Sequence, residues 1–164
     1  NTSNTKPKNS RCRASATVFP SSIGNATVNI TCTHQHGIRI WHKSYDHGGD
    51  DEVSTKIEDI YTEEPTTITN LSKIATFSPK SVSDETNVDW ITLSPSSTPG
   101  QAVSGPADGK LTLAAAANGT VIARSARLVG TFTYTCPDNN KVTHTAFLQI
   151  PISQVEKDQQ PYGF

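Results

Sequence analysis

Apolar and polar residues alternate along two short segments of the chain. In residues 25–32 one set of alternate positions holds only apolar side chains or cysteine: Ala26, Val28, Ile30 and Cys32. In residues 130–136 the corresponding set is Phe132, Tyr134 and Cys136, with a threonine at each position between them. Successive side chains of a strand point to opposite faces, so both segments are predicted to be β-strands with one buried face.

Further segments rich in β-branched residues predict strands over 15–19, 37–43, 53–61, 66–77, 88–93, 110–115, 120–124 and 142–152. Turn-forming Gly, Pro, Asn and Asp residues separate them, with the longest predicted loop at 94–109. This spacing predicts an all-β fold, an antiparallel β-sandwich. We expect the domain to span 14–152, between a polar basic linker or arm at 1–13 and a C-terminal linker at 153–164.

Three cysteines allow at most one intrachain disulfide. Cys32 and Cys136 each lie on the predicted buried face of a strand, which makes them the leading pair for a bond between two packed sheets. Cys12 would then be left as a free thiol, or be bonded to another chain or to a segment outside this sequence. No two cysteines have a C-x-x-C spacing, so thiol redox or zinc chemistry is not indicated.

The residues around Cys32 and Cys136 resemble a known family. Cys32, Trp41 and the Tyr134-Thr135-Cys136 segment are similar to the Cys, Trp and Tyr-x-Cys signature of immunoglobulin-like domains. The resemblance covers 14–152 and implies a Greek-key sandwich with an inter-sheet disulfide and end loops that bind partners. Such domains act in adhesion, as receptors or in host recognition.

A second family is the runner-up. Cys12 and Cys32, then Trp90 before Leu111, then the segment 132–136 and a strand at 145–150, are similar to the SRS and six-cysteine surface-antigen sandwiches of apicomplexan parasites. Both resemblances imply a surface β-sandwich glycoprotein.

Five N-x-S/T sequons suggest N-linked glycans, at Asn1, Asn25, Asn29, Asn70 and Asn118. Asn25 and Asn29 occupy the polar face of a predicted strand, so that face should meet solvent and stay clear of a protein partner. We therefore expect a secreted protein at an extracellular, cell or virion surface. No run of eighteen apolar residues exists, so no membrane-spanning segment is expected in this sequence.

Four of the five histidines lie close together and could bind a metal. His34 and His36 share a strand face, and His42 or His47 would complete the shell of a Zn(II) or Cu(II) ion. No spacing matches a known zinc motif, so the preferred interpretation is a His-rich strand end without a cofactor.

The remaining residues favour binding over catalysis. The sequence has no Gly-x-Ser-x-Gly elbow, and we expect no enzyme activity. The net charge of −1 does not indicate nucleic acid as a partner. Trp90 is a candidate contact for a protein ligand or receptor, with core burial the preferred alternative, and Arg124 and Arg127 could face an acidic partner. The competing class is a structural subunit of a filament, coat or appendage, joined to neighbouring subunits through the arm and Cys12.

Overall fold

A computed structural model describes the backbone of residues 2–45, 52–60, 64–136 and 141–158, and the side chains of 10–35, 64–136 and 141–158. In these residues the chain forms β-strands and no helix. The strands are β1 (Thr2–Arg13), β2 (Thr17–Phe19), β3 (Gly24–Asn29), β4 (Thr31–Tyr45), β5 (Glu52–Ile60), β6 (Thr66–Ile68), β7 (Ala75–Lys80), β8 (Ile91–Leu93), β9 (Val103–Ser104), β10 (Lys110–Ala115), β11 (Arg124–Thr135) and β12 (Thr143–Gln154).

The strands form three sheets. Sheet A has β4 at its centre, with β1 along one side and β5 and β6 along the other. Sheet B has the order β2-β12-β11-β7-β9, and sheet C the order β3-β10-β8. All pairings are antiparallel except β2 with β12, which is parallel. The predicted all-β class and antiparallel sheets are confirmed.

One hydrophobic core of described residues receives side chains from all three sheets, although sheet A contributes few of them. Burial alternates along the strands, most regularly on β12, where every second side chain from His144 to Gln154 is buried. The core's largest fully buried side chains include Phe19, Phe77 and Phe132. The outer faces of sheets B and C point away from this shared core, which leaves each of them open to solvent.

The predicted strand at 25–32 is two strands in different sheets. β3 ends at Asn29 in sheet C, and β4 begins at Thr31 in sheet A. Between them, the amide of Ile30 donates to the carbonyl oxygen of Gly109 at 2.7 Å, outside any strand pair. The alternation of burial runs through the break, so the sequence pattern contains no sign of it.

Other boundaries also differ from the prediction. Within the predicted linker or arm at 1–13, Thr2–Arg13 forms β1, which pairs along β4 as far as Trp41. The predicted strand at 66–77 is interrupted by a turn between β6 and β7, and 120–123 is irregular, since β11 starts at Arg124. β12 continues to Gln154, beyond the expected domain end.

The disulfide joins Cys12 to Cys32, so the predicted Cys32–Cys136 bond and the unpaired Cys12 are both wrong. The two cysteines are directly opposite each other on β1 and β4, with their Cα atoms 4.1 Å apart. Cys136 is also buried, as its strand position predicted, but it lies outside this bond. The sequence pattern shows which face a cysteine occupies, whereas strand pairing decides which cysteine is its neighbour.

Candidate functional site

Trp90 and Arg124 contact each other at one end of sheets B and C. Trp90 precedes β8 and is 8% exposed, and the guanidinium carbon of Arg124 lies 4.5 Å from the centre of the indole ring. Nη2 of Arg124 also donates to the carbonyl oxygens of Ala116 and Ala117, at 3.0 and 3.2 Å. Burial lowers the pKa of Arg124, and the negative charge of Asp89 opposes that shift.

Gln154 and Asn118 extend this cluster. Gln154 is fully buried, accepts a 2.7 Å hydrogen bond from Nε of Arg124, and donates to the carbonyl oxygens of Pro20 and Ala116. The Asn118 amide donates through Nδ2 to the carbonyl oxygens of Ile122 and Val155, at 2.9 and 3.1 Å. The buried side chains of Gln154 and Asn118 therefore both have hydrogen-bond partners, and these bonds connect separate chain segments at this end of the sheets.

Arg127 is held by its own neighbours on the outer side of sheet B. Its Nη2 donates to Oε1 of Glu85 in an ion pair, and its Nη1 donates to Oε1 of Gln149 at 3.1 Å. Trp90, Arg124 and Arg127 thus all have intramolecular contacts. Trp90 is buried, as the preferred alternative predicted, and contact of Arg124 and Arg127 with an acidic partner stays a prediction.

Of the four predicted metal ligands, only His34 has a described side chain. His34 is buried and packs against Tyr134 and His144, with ring centres 4.6 and 5.4 Å away. His42 lies eight residues further along β4, and only its backbone is described. His36 has a described backbone only, and His47 lies outside the described residues. Among the described residues no group of three potential ligands could hold a metal.

The sequon asparagines divide into exposed and buried positions. Asn25 and Asn29 are exposed on β3, on the outer face of sheet C, and Asn70 is exposed in the turn before β7. Asn118 is 3% exposed, and Nδ2, the atom that would carry a glycan, makes the two hydrogen bonds described above. Asn1 lies outside the described residues.

Part of the outer face of sheet B carries rows of threonine, and we call this part the threonine face. It is formed by exposed side chains of β7, β11 and β12: Thr76, Thr131, Thr133, Thr135, Thr143, Thr145 and Phe147. Thr133 lies directly opposite Thr145. Thr135 lies opposite Thr143, with their hydroxyl oxygens 3.2 Å apart.

Phe147 is the large apolar side chain of this face. It lies opposite Thr131, which in turn lies opposite Thr76, so the three residues form one row across three strands. The exposed fraction of Phe147 is 73%. Neither neighbour of Phe147 in this row is charged. Lys73 lines the same surface depression as Thr76, Thr131 and Thr133, and Lys80 and Arg127 stand in a row four positions away along the strands.

Sequence reasoning did not single out Phe147, although a signal was present. In residues 143–150 the threonines and Phe147 occupy one set of alternate positions, and His144, Ala146, Leu148 and Ile150 occupy the other. If the set that contains Leu148 and Ile150 is buried, Phe147 lies on the solvent side of the strand.

Comparison of the chain with models of protein families, with curated proteins and with solved structures gives no match. Its described part contains no helix long and apolar enough to cross a membrane.

Proposed function

We propose that this chain is an extracellular β-sandwich module, immunoglobulin-like in type, that binds another protein through the threonine face and catalyses no reaction. The observation that carries the proposal is the exposed Phe147 among the uncharged side chains of the threonine face. Aromatic residues are enriched and charged residues depleted at the centres of protein interfaces.

The composition of the threonine face suits such a role. Burying a phenylalanine side chain against a partner stabilises the complex by about 1.5–3 kcal/mol. The surrounding hydroxyl groups can donate and accept hydrogen bonds at the rim, and they are short side chains that lose little conformational freedom on binding. None of the seven side chains of the threonine face is charged, so burying them removes no charge of their own from water.

The proposed glycans leave this face open. The exposed sequons Asn25 and Asn29 belong to sheet C, whose outer face is a different surface from that of sheet B. Glycans there would shield sheet C, so a partner has access to Phe147. The Cys12–Cys32 bond is compatible with an extracellular compartment.

The alternative class, an assembly subunit joined to its neighbours by Cys12, is less well supported. Cys12 is bonded within the chain, and the arm that would reach a neighbour is paired with β4. This bond and this pairing argue against an assembly joined through Cys12 and the arm.

The test is a binding screen of the purified, biotinylated chain against a panel of extracellular protein domains. We expect a partner whose affinity falls by more than about tenfold with Phe147→Asp. The matched control is Ile122→Asp, because Ile122 is 72% exposed on a different part of the surface. Equal loss with both variants, or no loss with either, would contradict the assignment of the threonine face.

A further inference from the structure

Arg11 and Arg13 form a basic pair on the exposed side of β1. They are two residues apart, so their side chains leave the same face of sheet A, separated by about 6.5–7 Å along the strand. On the adjacent strand, Thr33 lies directly opposite Arg11 and Thr31 directly opposite Arg13. The Cα atoms of these four residues therefore lie at the corners of a small rectangle.

This basic pair lines a surface depression of about 340 Å³, which also involves His34, Gln35 and Pro65. Neither Arg11 nor Arg13 forms an ion pair or a side-chain hydrogen bond with any residue that the structure describes, in contrast to Arg124 and Arg127. Glu64, next to Pro65, is paired with neither of them. The donors of both guanidinium groups thus face solvent and are available to a ligand.

The disulfide lies directly behind the pair. Cys12 stands between the two arginines in sequence, and Cys32 stands between the two threonines. The covalent bond on the buried side holds β1 and β4 in register, so it maintains the rectangle before any ligand arrives. Such preorganisation reduces the conformational entropy lost on binding.

We propose that this depression binds an extended acidic segment of a partner protein, with carboxylates at alternate positions. The inference rests on the proposed function, protein recognition, and names the chemistry of a second contact with the partner. Guanidinium groups bind carboxylates through two parallel hydrogen bonds. An extended peptide repeats its side chains on one face every 6.5–7 Å, about the separation of Arg11 and Arg13, so both can be engaged at once.

The experiment uses fluorescence anisotropy with two labelled peptides of the same composition. In one, glutamate and threonine alternate; in the other, the glutamates are contiguous. We expect the whole chain to bind the alternating peptide more tightly, and Arg11→Gln/Arg13→Gln to weaken that binding by about tenfold or more. Arg11→Lys/Arg13→Lys, which keeps the charge but loses the planar fork, should weaken it by about threefold.

Lys73→Gln/Lys110→Gln is the matched control, because it removes the same charge from two exposed positions elsewhere. We expect this control variant to bind the alternating peptide with an affinity within about twofold of that of the parent chain. Equal loss in both glutamine variants would overturn the proposal, as would equal affinity for both peptides. Tighter arginine-dependent binding to sulfated polysaccharide or to phosphatidylserine vesicles would overturn the assignment to a peptide.

Failure here is distinguishable from failure of the proposed function. Peptide binding is measured without a folded partner, and Phe147→Asp should leave it unchanged. If Phe147→Asp loses partner binding but the parent chain binds no peptide, only the basic-pair site is contradicted. If the parent chain binds the peptide but Phe147→Asp keeps partner binding, only the threonine face is contradicted.

Discussion

Gly130 on β11 lies directly opposite Phe77 on β7, and the phenyl ring occupies the space where a side chain of residue 130 would stand. A Cβ atom at Gly130 would be 2.3 Å from Cε1 of Phe77, well inside contact distance. The ring is fully buried and cannot move toward solvent without opening the core. The absence of a side chain at Gly130 thus allows β7, β11 and the core to pack together.

Gly130→Ala should therefore destabilise the protein. We expect the free energy of unfolding to fall by about 1–3 kcal/mol, since the added methyl group forces Phe77 or the strand to shift. Urea denaturation followed by tryptophan fluorescence measures the change. Gly119→Ala is the control, because no atom lies within 4 Å of its added Cβ, and an equal loss at both positions would contradict the explanation.

Peptide mapping under non-reducing conditions should recover a single intrachain linkage, Cys12 to Cys32. Cys12→Ala should abolish this linkage, and Cys136→Ala should leave it intact. For a separation of 20 residues, losing the bond should cost about 3 kcal/mol of unfolding free energy, because the unfolded chain gains freedom. Recovery of a peptide joining Cys32 to Cys136 would show the strand pairing of Cys12 to be wrong.

Asn118→Asp should be strongly destabilising, although the two side chains have the same shape. The substitution replaces the Nδ2 donor with a carboxylate oxygen facing the carbonyl oxygens of Ile122 and Val155. We expect a loss of about 2–3 kcal/mol in thermal or urea unfolding. Asn70→Asp is the control, since Asn70 is exposed and uses its Oδ1 as an acceptor, which aspartate retains. Its effect should be within about 0.5 kcal/mol.

Glycan occupancy in a secretory host should follow exposure. We expect modification at Asn25, Asn29 and Asn70, and none at Asn118, because a sugar on its Nδ2 would displace a buried hydrogen-bond donor. Mass spectrometry of peptides after enzymatic deglycosylation in water labelled with heavy oxygen reports each site separately. An occupied Asn118 in correctly folded protein would be incompatible with the described cluster.

Arg124→Lys should destabilise the fold even though the charge is kept. An ammonium group cannot bind Gln154 and the two alanine carbonyl oxygens together while stacking on Trp90. We expect a loss of about 1–2 kcal/mol. Arg127→Lys should cost less than about 1 kcal/mol, because its ion pair with the exposed Glu85 is weakened by solvent. Similar losses in both variants would refute the special role of Arg124.

The local patterns of the sequence determined the strands and their faces. Strict alternation placed Val28, Ile30 and Phe132 in the core and Asn25 and Asn29 in solvent, because a strand turns successive side chains to opposite sides. The strand at 110–115 was predicted with its observed bounds, since turn residues delimit it. These properties depend on neighbours within a few residues.

Only the tertiary structure decided which strands pair and therefore which distant residues meet. The polar segment 2–13 has no alternation, and it is a strand because β4 offers it a hydrogen-bonding edge. That pairing joins Cys12 to Cys32 and sets Arg11 beside Thr33. Trp90, Arg124 and Gln154 likewise meet through packing of β8 near the ends of β11 and β12. Contacts between strands far apart in sequence depend on the register of whole sheets, which no local pattern encodes.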